Sequence, residues 1–552
     1  MDEPLGTGVD EPQDRNGAFP RLTDEQRARL RMRGSLERVQ TGDILFRAGD
    51  ETFDFFVVEE GAVTIVDDFG SANRVIAVHG AKRFLGELNL LRGDRAYLTG
   101  VVRDPGVVTR VSAAEIRRVV AEDEELSNII VRAFLERRSI LIGLGTGHRV
   151  IGSRFSPDSR RLREFLARNR VPYHWLDLEE DPEADELLRT AGIGPHETPV
   201  VLVSGGKTLR NPTNAALAHE IGLGARGAPP AMCDLIVVGG GPAGLAAALY
   251  GASEGLDTQA VESIAFGGQA GTSSRIENYL GFPAGISGSE LAGRAELQAA
   301  KFGARLVVPA EATAIAAEDG HYAIALSNGD VVRGRTVIVA TGARYRRLDL
   351  PGLERFESDS VYYAATQAEA QRCFGDPVVI VGGGNSAGQA AMFLSRSSAS
   401  CSLLIRGGDL GKSMSRYLVD EIERGSAVDV QAFTQVAELV GGDALEAIVV
   451  ADARTGERRT LPAKALFVFI GATPHTDWIG DFVTRDEDGF LLTGADVPAE
   501  FADGGRPFFL ETSRPGIFAV GDVRSTSIKR VASAVGEGSM AVRLVHQRLA
   551  TL

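Results

Sequence analysis

The sequence predicts a multidomain α/β protein. The chain has 552 residues, enough for about three to five domains at roughly 100–200 residues each. An apolar strand that leads into a glycine-rich turn and an alanine-rich helix occurs twice in the C-terminal half. Upstream of it, strand-like periodicity changes to helical periodicity and then to alternating strands and helices. These patterns predict an N-terminal β-barrel, a small α/β domain and two Rossmann-like domains, in that order.

The composition excludes several classes of protein. A formal charge of −15 does not favour binding to nucleic acid, which needs a basic surface. The 3 cysteines are too few for a disulfide-stapled secreted fold or for a metal site with four cysteine ligands. The 8 histidines lack metal-site spacing, so no metal is expected. The longest uncharged stretches, 235–253 and 377–395, contain glycine runs, so we expect a cytoplasmic protein without a membrane span.

The N-terminal region divides into a tail and a barrel. Residues 1–20 are rich in acidic residues, proline and glycine, and are predicted to form a disordered, solvated tail. Residues 21–142 begin with β-strands: one over 53–58 runs to a turn at Gly61, and the next covers 62–66. Helical periodicity follows to the end of this region, which predicts a barrel that ends in helices.

The next region, residues 143–225, alternates between short strands and helices. Strands are predicted over 149–152 and 199–203, and helices over 159–169 and 214–221. This pattern is typical of a small α/β domain, and a glycine- and proline-rich linker follows it.

The first glycine loop is Gly239-x-Gly241-x-x-Gly244, with Pro242 and Ala243 at the start of the helix. Its glycines permit the tight turn, the approach of a pyrophosphate and the close packing of helix on strand. Glu262 ends the following strand, where a carboxylate meets a ribose hydroxyl. The loop therefore predicts a dinucleotide site.

The second loop is Gly382-x-Gly384-x-x-Ala387, with Asn385 and Ser386 inside it. Its second strand ends in Arg406, which favours a 2′-phosphate and hence NADP(H) over NAD(H). Lys412 and Arg416 are further candidate contacts. The alternatives are that Arg406 is only a solvated charge, and that the nucleotide is NAD(H).

Residues 232–552 resemble thioredoxin reductases, the low-molecular-weight type of flavoprotein disulfide reductase. The resemblance rests on the segments 267–269, 276–279, 340–342, 382–387 and 521–523. It implies a homodimer that uses FAD and NADP(H). It also implies a split FAD domain, 232–348 with 477–552, around an NAD(P) domain, 349–476. The further residues that it assigns to FAD are Gly268, Gln269, Asn278, Thr341, Gly342, Gly521, Asp522, Arg530, Val531 and Ala532.

The redox dithiol of that family is missing. Ala364 and Gln367 occupy the two positions where the family has its C-x-x-C cysteines. Cys373 is near, but one thiol cannot form an intramolecular disulfide there, and a small buried apolar residue is the alternative reading. No catalytic side chain is therefore assigned. The sequence predicts that hydride passes from NADPH to FAD and then to an external small-molecule or protein acceptor.

Residues 143–225 resemble a glutaredoxin-like thioredoxin fold. The resemblance rests on Ser156-Pro157-Asp158-Ser159, on the pair Thr198-Pro199, which it implies is a cis bond, and on the segment 205–210. Ser156 and Ser159 stand where active relatives have cysteines, and serine cannot exchange disulfides. We expect Ser156 to cap a helix, and the domain to be a spacer, docking surface or relay.

Residues 21–142 resemble a cyclic-nucleotide-binding domain. The main signature is the cassette 84–91 followed by Arg95 and Ala96. The resemblance implies that amides near Gly86 and the Arg95 guanidinium hold a cyclic phosphate, and that Glu87 binds the ribose. Tyr97 stands where the family prefers a small residue. A cyclic nucleotide or similar anion is one interpretation, and a ligand-free regulatory or dimerising barrel is the other.

Three functions stay open on the sequence. The first is a flavin-dependent NAD(P)H oxidoreductase regulated by a ligand of the barrel. The second is a redox or ligand sensor, or a scaffold, with low turnover. The third is a disulfide reductase that acts on an external thioredoxin-like partner.

Overall fold

The computed structural model describes most of the chain. The described residues are 9–67, 74–190, 192–223, 232–273, 276, 279–357, 360–363, 365, 367–425, 427–442, 444–501 and 505–551. Within these ranges, no helix is long and apolar enough to cross a membrane.

An antiparallel sheet with helices at both ends forms the N-terminal barrel domain. The strand order is β1-β6-β3-β4, β2 also pairs with β6, and β5 pairs with β3. Apolar side chains of β3 and β6 and of α4 form its core. The elements are α1 (Asp24–Arg31), β1 (Ser35–Val39), β2 (Ile44–Phe46), β3 (Phe55–Asp67), β4 (Arg74–Gly80), β5 (Phe84–Leu85), α2 (Leu88–Arg92), β6 (Thr99–Val111), α3 (Ala113–Glu122) and α4 (Glu124–Gly143).

Gly61 is not the turn that the sequence predicts. The two predicted strands are one strand, β3, whose register against β6 shifts on either side of Glu60. Gly61 has a φ of +87°, and an added Cβ would lie 2.5 Å from the carbonyl oxygen of Asp104 on β6. The glycine therefore allows a bulge in a continuous strand, and not a chain reversal.

Residues 9–20 also differ from the prediction of a solvated tail. Ala18 is fully buried, and its carbonyl accepts a hydrogen bond from Arg137 of α4. Glu11 pairs with Arg21 at 2.6 Å and with Arg83 at 3.2 Å. Polar composition suggests solvation, but these charges are matched by arginines of the barrel, so the segment packs along it.

A mixed sheet with helices on it forms the central domain. Its strand order is β10-β9-β7-β8, in which β7 and β8 are parallel and β9 runs antiparallel to β7 and β10. The peptide bond between Thr198 and Pro199 is cis, as expected. The elements are β7 (His148–Gly152), α5 (Pro157–Arg168), β8 (Tyr173–Asp177), α6 (Pro182–Thr190), β9 (Val200–Val203), β10 (Lys207–Arg210) and α7 (Asn214–Ile221).

The first Rossmann-like domain begins with a buried parallel strand, β11. Parallel strands β13-β12-β11-β16 continue into the antiparallel strands β15 and β14. Such strands are apolar on both faces because helices cover them. The elements are β11 (Cys233–Val238), α8 (Pro242–Ser253), β12 (Thr258–Val261), α9 (Gly288–Lys301), β13 (Arg305–Val307), β14 (Ala312–Glu318), β15 (His321–Leu326), β16 (Val331–Val339) and β17 (Ala343–Tyr345).

The second Rossmann-like domain repeats the plan with the parallel order β18-β25-β19-β20-β21, and β22, β23 and β24 form a separate antiparallel sheet. Its elements are α10 (Leu353–Phe356), β18 (Val361–Tyr362), α11 (Gln367–Arg372), β19 (Pro377–Val381), α12 (Asn385–Leu394), β20 (Ser400–Leu404), α13 (Arg416–Arg424), β21 (Asp429–Gln431), β22 (Thr434–Gly441), β23 (Leu445–Asp452), β24 (Arg458–Pro462) and β25 (Ala465–Val468).

The C-terminal segment then returns to the first Rossmann-like domain. Its β26 pairs with β17, and its β27 extends the first sheet beside β16. The elements are β26 (Ala472–Pro474), β27 (Ile517–Ala519) and α14 (Val531–Leu549). Short 3-10 helices cover Pro195–Glu197, Ala270–Thr272, Leu410–Lys412, Asp477–Phe482, Gly494–Asp496, Ala499–Phe501 and Gly521–Val523.

Helix α9 connects the first Rossmann-like domain to the N-terminal half. Glu296 of α9 pairs with Arg92 of the barrel at 2.8 Å, and Lys301 donates to Ser127 at 3.1 Å. In the central domain, Asn169 donates to the carbonyl of Ile264 at 2.9 Å. Both N-terminal domains therefore contact the domain that carries the first glycine loop.

Candidate functional site: two nucleotide cradles and a barrel cassette

The first glycine loop forms a cradle between β11 and α8. A Cβ at Gly244 would overlap the carbonyl oxygen of Gly239, so only glycine allows this packing of helix on loop. Helix α8 begins at Pro242 with Gly241 as N-cap, and no side chain caps it. Its first amides are therefore available to an anion, which the helix dipole also favours.

Glu262 lies beside this loop, directly after β12. Its carboxylate accepts a hydrogen bond from the amide of Gly240 at 2.6 Å and from the amide of Ile264 at 3.1 Å. These bonds hold the side chain at the end of the strand, on the edge where the loop begins. The structure thus brings Glu262 and the loop together, as the sequence predicts.

A second backbone segment contacts the cradle. A Cβ at Gly268 would lie 2.9 Å from the Cα of Gly241, so these two chain segments touch. Gln269 donates to the carbonyl of Ala343 at the start of β17. The hydroxyl of Thr341 donates to the carbonyl of His475 at 2.7 Å, and the carbonyl of Gly342 accepts from the amide of His475 at 3.1 Å. Asn278, predicted to contact FAD, lies outside the described residues.

The C-terminal segment completes the cradle. Asp522 follows β27, and burial raises the pKa of its carboxyl group. The preceding amide, of Gly521, donates to Glu537 of α14 at 2.7 Å. Helix α14 begins at Val531 with Arg530 as N-cap, followed by Ala532, and no side chain caps this end either. Its first turn lies near that of α8, because a Cβ at Gly521 would lie 3.0 Å from the Cβ of Ala243 and 3.7 Å from that of Ala534. A second uncapped helix end is therefore close to the same region.

The second glycine loop forms a matching cradle. Gly382 has a φ of +145°, and a Cβ there would overlap the carbonyl oxygen of Phe469. Helix α12 begins at Asn385 after Gly384, without a side-chain cap. Ser386 follows in the first turn, and Ala387 is fully buried against the loop. The amides at this helix end are available to a phosphate.

The cations near this second cradle are exposed. Arg406 and Lys412 form no ion pair with any described residue, whereas Arg416 pairs with Asp420 at 2.9 Å. The intervening loop reaches the cradle, because the hydroxyl of Ser413 donates to the carbonyl of Gly383 at 3.0 Å. The amide of Ser415 donates to Asn385. Sequence reasoning missed both serines, since no spacing rule links them to the glycines.

The cassette of the barrel is arranged differently. Arg138 of α4 is fully buried and pairs with Glu87 at 2.9 Å, and its guanidinium lies 5.1 Å from the ring centre of Tyr97. The other carboxylate oxygen of Glu87 is buried and has no described partner. Arg95 pairs with Glu51 at 2.7 Å. Each charged residue of the cassette therefore already has a partner within the chain.

Sequence reasoning did not single out Arg138, although this arginine neutralises the carboxylate of Glu87. Helix α4 contains three arginines, and only the fold shows that Arg137 and Arg138 are buried whereas Arg132 is exposed. Its second guanidinium nitrogen donates to the carbonyl of Arg170 in the central domain at 3.0 Å. Gly86 and Ala96 line the interior of the barrel beside it.

The match to known proteins now decides the family. Residues 233–538 match the family described as Pyridine nucleotide-disulphide oxidoreductase, and residues 36–123 match the Cyclic nucleotide-binding domain. The chain belongs to the pyridine nucleotide-disulphide oxidoreductases. It is therefore an oxidoreductase whose redox portion follows an N-terminal cyclic nucleotide-binding domain.

Three relatives illustrate the likeness. A thioredoxin reductase of Treponema pallidum (strain Nichols) is 32% identical over 319 residues, which are 58% of this chain and 98% of the relative. A thioredoxin reductase of Streptomyces clavuligerus is 30% identical over 325 residues, which are 58% of this chain and 94% of the relative. The crystal structure of a thioredoxin reductase from Streptococcus pyogenes MGAS5005 gives a TM-score of 0.51 at 30% identity, and covers 58% of this chain and 99% of that chain.

The oxidoreductase has aromatic rings where the chain leaves β18. Of the two residues at the predicted dithiol positions, Ala364 lies outside the described residues, and Gln367 begins α11. The ring of Tyr363 stacks on that of Tyr345 of β17, with centroids 6.1 Å apart and planes 11° apart. Burial, together with the nearby Asp522 carboxylate, raises the pKa of Tyr345. The pair therefore lies beside the first cradle, which the sequence did not reveal.

The thiols of the oxidoreductase are all buried. Burial raises the pKa of Cys233 and of Cys401 to about 12, and it also raises the pKa of Cys373. A thiol with such a pKa has almost no thiolate at neutral pH, and thiolate is the reactive form. The described residues also contain no group of three or more histidine, cysteine and carboxylate side chains that could hold a metal ion.

Ser156 of the central domain is a helix cap, as predicted. Its hydroxyl accepts the amide of Ser159 at 3.3 Å, and Pro157 occupies the first helical position of α5. The hydroxyl of Ser159 is buried without a described partner.

Proposed function

We propose that the protein is an NADPH-dependent flavin oxidoreductase that delivers electrons to an acceptor outside the chain. The observation that carries the proposal is the pair of cradles that open onto uncapped helix ends, in a chain whose thiols are buried. The thioredoxin reductase-like family uses FAD and NADPH. When bound, these two cofactors supply the hydride transfer between nicotinamide and flavin.

The first cradle has the features that FAD requires. Positions 239 and 244 allow the turn and the packing of α8 on it only as glycines, Gly241 leaves open space beside the loop, and the uncapped amides of α8 would hold a pyrophosphate there. Glu262 would accept the ribose hydroxyls, and Asp522 would hold a ribityl hydroxyl at the far end of the site. Gln269 and the start of α14, Arg530 to Ala532, would contact the ring system.

The second cradle fits the pyridine nucleotide. The start of α12 would hold the pyrophosphate, and Asn385 and Ser386 lie at its first turn. Arg406 and Lys412 are exposed cations without an ion pair among the described residues, so they can meet a 2′-phosphate without first losing a partner. This favours NADPH, and NADH is the alternative.

The acceptor must then come from outside the chain. The three cysteines are free and buried, and the raised pKa of each leaves almost no thiolate, so they would not carry electrons away by thiol–disulfide exchange. Tyr345 and Tyr363 would cover the flavin on the side where the dithiol of relatives lies, and so exclude water from it. The acceptor classes that remain are a quinone, another flavin, an iron–sulfur protein, dioxygen or a dithiol on another polypeptide.

The N-terminal half would regulate the redox domains or dock a partner. The central domain would be a thioredoxin-like docking or relay element: its strand order and its cis-proline support such a fold, and serine in place of cysteine would leave it without redox chemistry. A cyclic nucleotide is the barrel ligand that the family match suggests, and the unpartnered oxygen of Glu87 would accept its ribose hydroxyl. Its phosphate would have to displace Glu51 from Arg95.

Anaerobic addition of NADPH to the yellow holoprotein tests the redox proposal. We expect rapid bleaching of the flavin band, because both cofactors have a site. Bleaching that takes minutes would contradict the enzyme and favour a sensor or scaffold. Oxidised thioredoxin with NADPH provides the second arm, in which we expect a negligible rate above the oxidase background. A high rate there would instead support reduction of an external disulfide, as the names of the relatives suggest.

A further inference from the structure

The interior of the barrel contains a largely apolar cavity. Its empty volume, including the space open to solvent, is about 620 Å³. The apolar part of the wall comes from the strands, and the N-terminal segment and α4 close it with Phe19 and Ile140. The apolar side chains that matter here are Phe46, Ile65 and Ile76 of the strands and Leu98, which precedes β6. A lining that is mostly apolar with a few polar groups is typical of sites for small organic molecules.

A buried cation lies in the wall of this cavity. Arg137 of α4 is 6% exposed, and three of its N–H groups donate to the carbonyls of Ala18, Phe84 and Gly86. It forms no ion pair with any carboxylate among the described residues. Burial lowers its pKa to about 9, so the side chain is still charged at neutral pH. The carboxylates of Asp14 and Glu87 offset only part of the effect of burial. A buried charge without a direct ion pair is unfavourable, and an anionic ligand would relieve it.

A second polar group in the wall is also unsatisfied. His79 of β4 is 3% exposed, and its Nδ1 has no hydrogen-bond partner in the described part of the chain. Burial holds its pKa well below the usual value, so the imidazole is neutral. Its ring lies 5.7 Å from that of Phe19, which Arg137 also contacts. The two polar groups therefore lie at the same end of the cavity.

The arginine that the family resemblance assigns to a cyclic phosphate does not take part. Arg95 pairs with Glu51 and is not in the cavity wall. Tyr97 is buried in that wall, where it occupies space, and the charge of Glu87 is already balanced by Arg138. The positive charge in the wall that is not part of an ion pair is that of Arg137, and the remaining lining is apolar apart from His79, Glu87 and Tyr97.

We propose that this cavity binds a hydrophobic monocarboxylate. The carboxylate would meet Arg137 and His79, and the apolar body would lie among Phe46, Ile65 and Leu98. A single charge on an apolar body matches one buried cation in an apolar wall, whereas a cyclic nucleotide brings a polar base and ribose into it. The inference concerns a binding site outside the redox centre and does not depend on the redox proposal.

Calorimetric titration of the full-length holoprotein tests it, with decanoate as the probe. We expect saturable binding of one decanoate per chain, and binding of 1-decanol that is about tenfold weaker or more, because decanol lacks the charge. Equal affinity for decanol would overturn the proposal. So would saturable binding of cyclic AMP or cyclic GMP without binding of decanoate, and so would the absence of binding by any of these probes.

Variants separate the cavity from general stability. Arg137→Met should weaken decanoate binding about tenfold or more, and Ala77→Leu, which fills the cavity and keeps the cation, should abolish it. Arg137→Met loses three hydrogen bonds to carbonyls, and this loss could unfold the N-terminal segment in that variant. Ala77→Leu keeps these hydrogen bonds, so it tests the cavity independently. The matched control is Arg132→Met, since Arg132 also bonds that segment from α4 but lies outside the cavity wall. Unchanged decanoate binding in Ala77→Leu would contradict the proposed site. Flavin bleaching by NADPH reports separately on the redox proposal.

Discussion

The two glycine loops and the cassette of the barrel show two ways of building an anion site. In the loops, backbone amides at the start of α8 and α12 are left without side-chain caps, and the glycines keep the space open. In the cassette, the charged side chains are present but occupied: Glu87 by Arg138, and Arg95 by Glu51. A site made of backbone follows from local sequence, whereas a site made of side chains depends on which partners the fold brings to them.

The largest effect should come from closing the first cradle. In Gly244→Ala the new Cβ overlaps the carbonyl of Gly239, so α8 cannot pack on the loop. We expect purified protein without FAD, measured as the ratio of flavin to protein absorbance, and a lower melting temperature. Gly143→Ala is the control, because a Cβ there meets nothing within 4 Å, and its FAD content should not change. A full complement of FAD in Gly244→Ala would show that the cradle is not the flavin site.

The next effect should come from breaking the occupied cassette. Arg138→Met leaves the Glu87 carboxylate buried without its partner, which should destabilise the barrel by about 3–5 kcal/mol. Thermal or urea unfolding of the full chain measures it. The exposed pair of Arg118 with Glu115 is the control, and Arg118→Met should leave stability almost unchanged. Similar unfolding curves for the two variants would mean that the stability of the barrel does not depend on the pair of Arg138 with Glu87.

A smaller effect should distinguish the two nucleotides at the second cradle. Arg406→Leu removes an exposed cation, so the KM for NADPH should rise about tenfold to a hundredfold while the KM for NADH stays the same. Steady-state kinetics with either nucleotide measures this. Arg424→Leu is the control, since Arg424 is equally exposed but is on α13 and pairs with Asp420. A parallel rise for both nucleotides would remove Arg406 from the 2′-phosphate site.

The smallest expected effect is on the pH dependence of stability, through Asp94 at the junction of the barrel with α9. Burial raises the pKa of Asp94 to about 7, against the partial opposition of Arg92 and Arg138 and with support from Glu87 and Glu296. The folded chain therefore holds a proton that the unfolded chain has lost between the usual 3.8 and about 7, so stability falls as pH rises through this window.

Asp94→Asn removes that titration. The fall in melting temperature between pH 5 and pH 8 should be smaller by a few degrees in the variant than in the parent, as measured by scanning calorimetry. The parent chain at the same two pH values is the control for all other titrating groups. An equal fall in both proteins would contradict the role of Asp94.

Particular residues show how far the sequence reaches. The strands and helices around both glycine loops were predicted, as were the cis bond at Pro199 and the cap at Ser156. The predicted turn at Gly61 is wrong, because a left-handed glycine in a strand bulge and a left-handed glycine in a turn have the same local sequence pattern. The predicted roles of the individual cofactor contacts, such as Glu262 and Arg406, remain predictions.

Local sequence is enough to determine the features that the backbone encodes over a few residues. The loops at Gly239 and Gly382 are such features, because glycine alone allows their turns and their approach to a helix end. Which side chains meet depends on the packing of the whole chain: Arg138 with Glu87, Tyr345 with Tyr363, and Arg137 with a largely apolar cavity in which it has no ion pair among the described residues. Those partners lie far apart along the chain, and packing in three dimensions determines which charges are matched and which are left for a ligand.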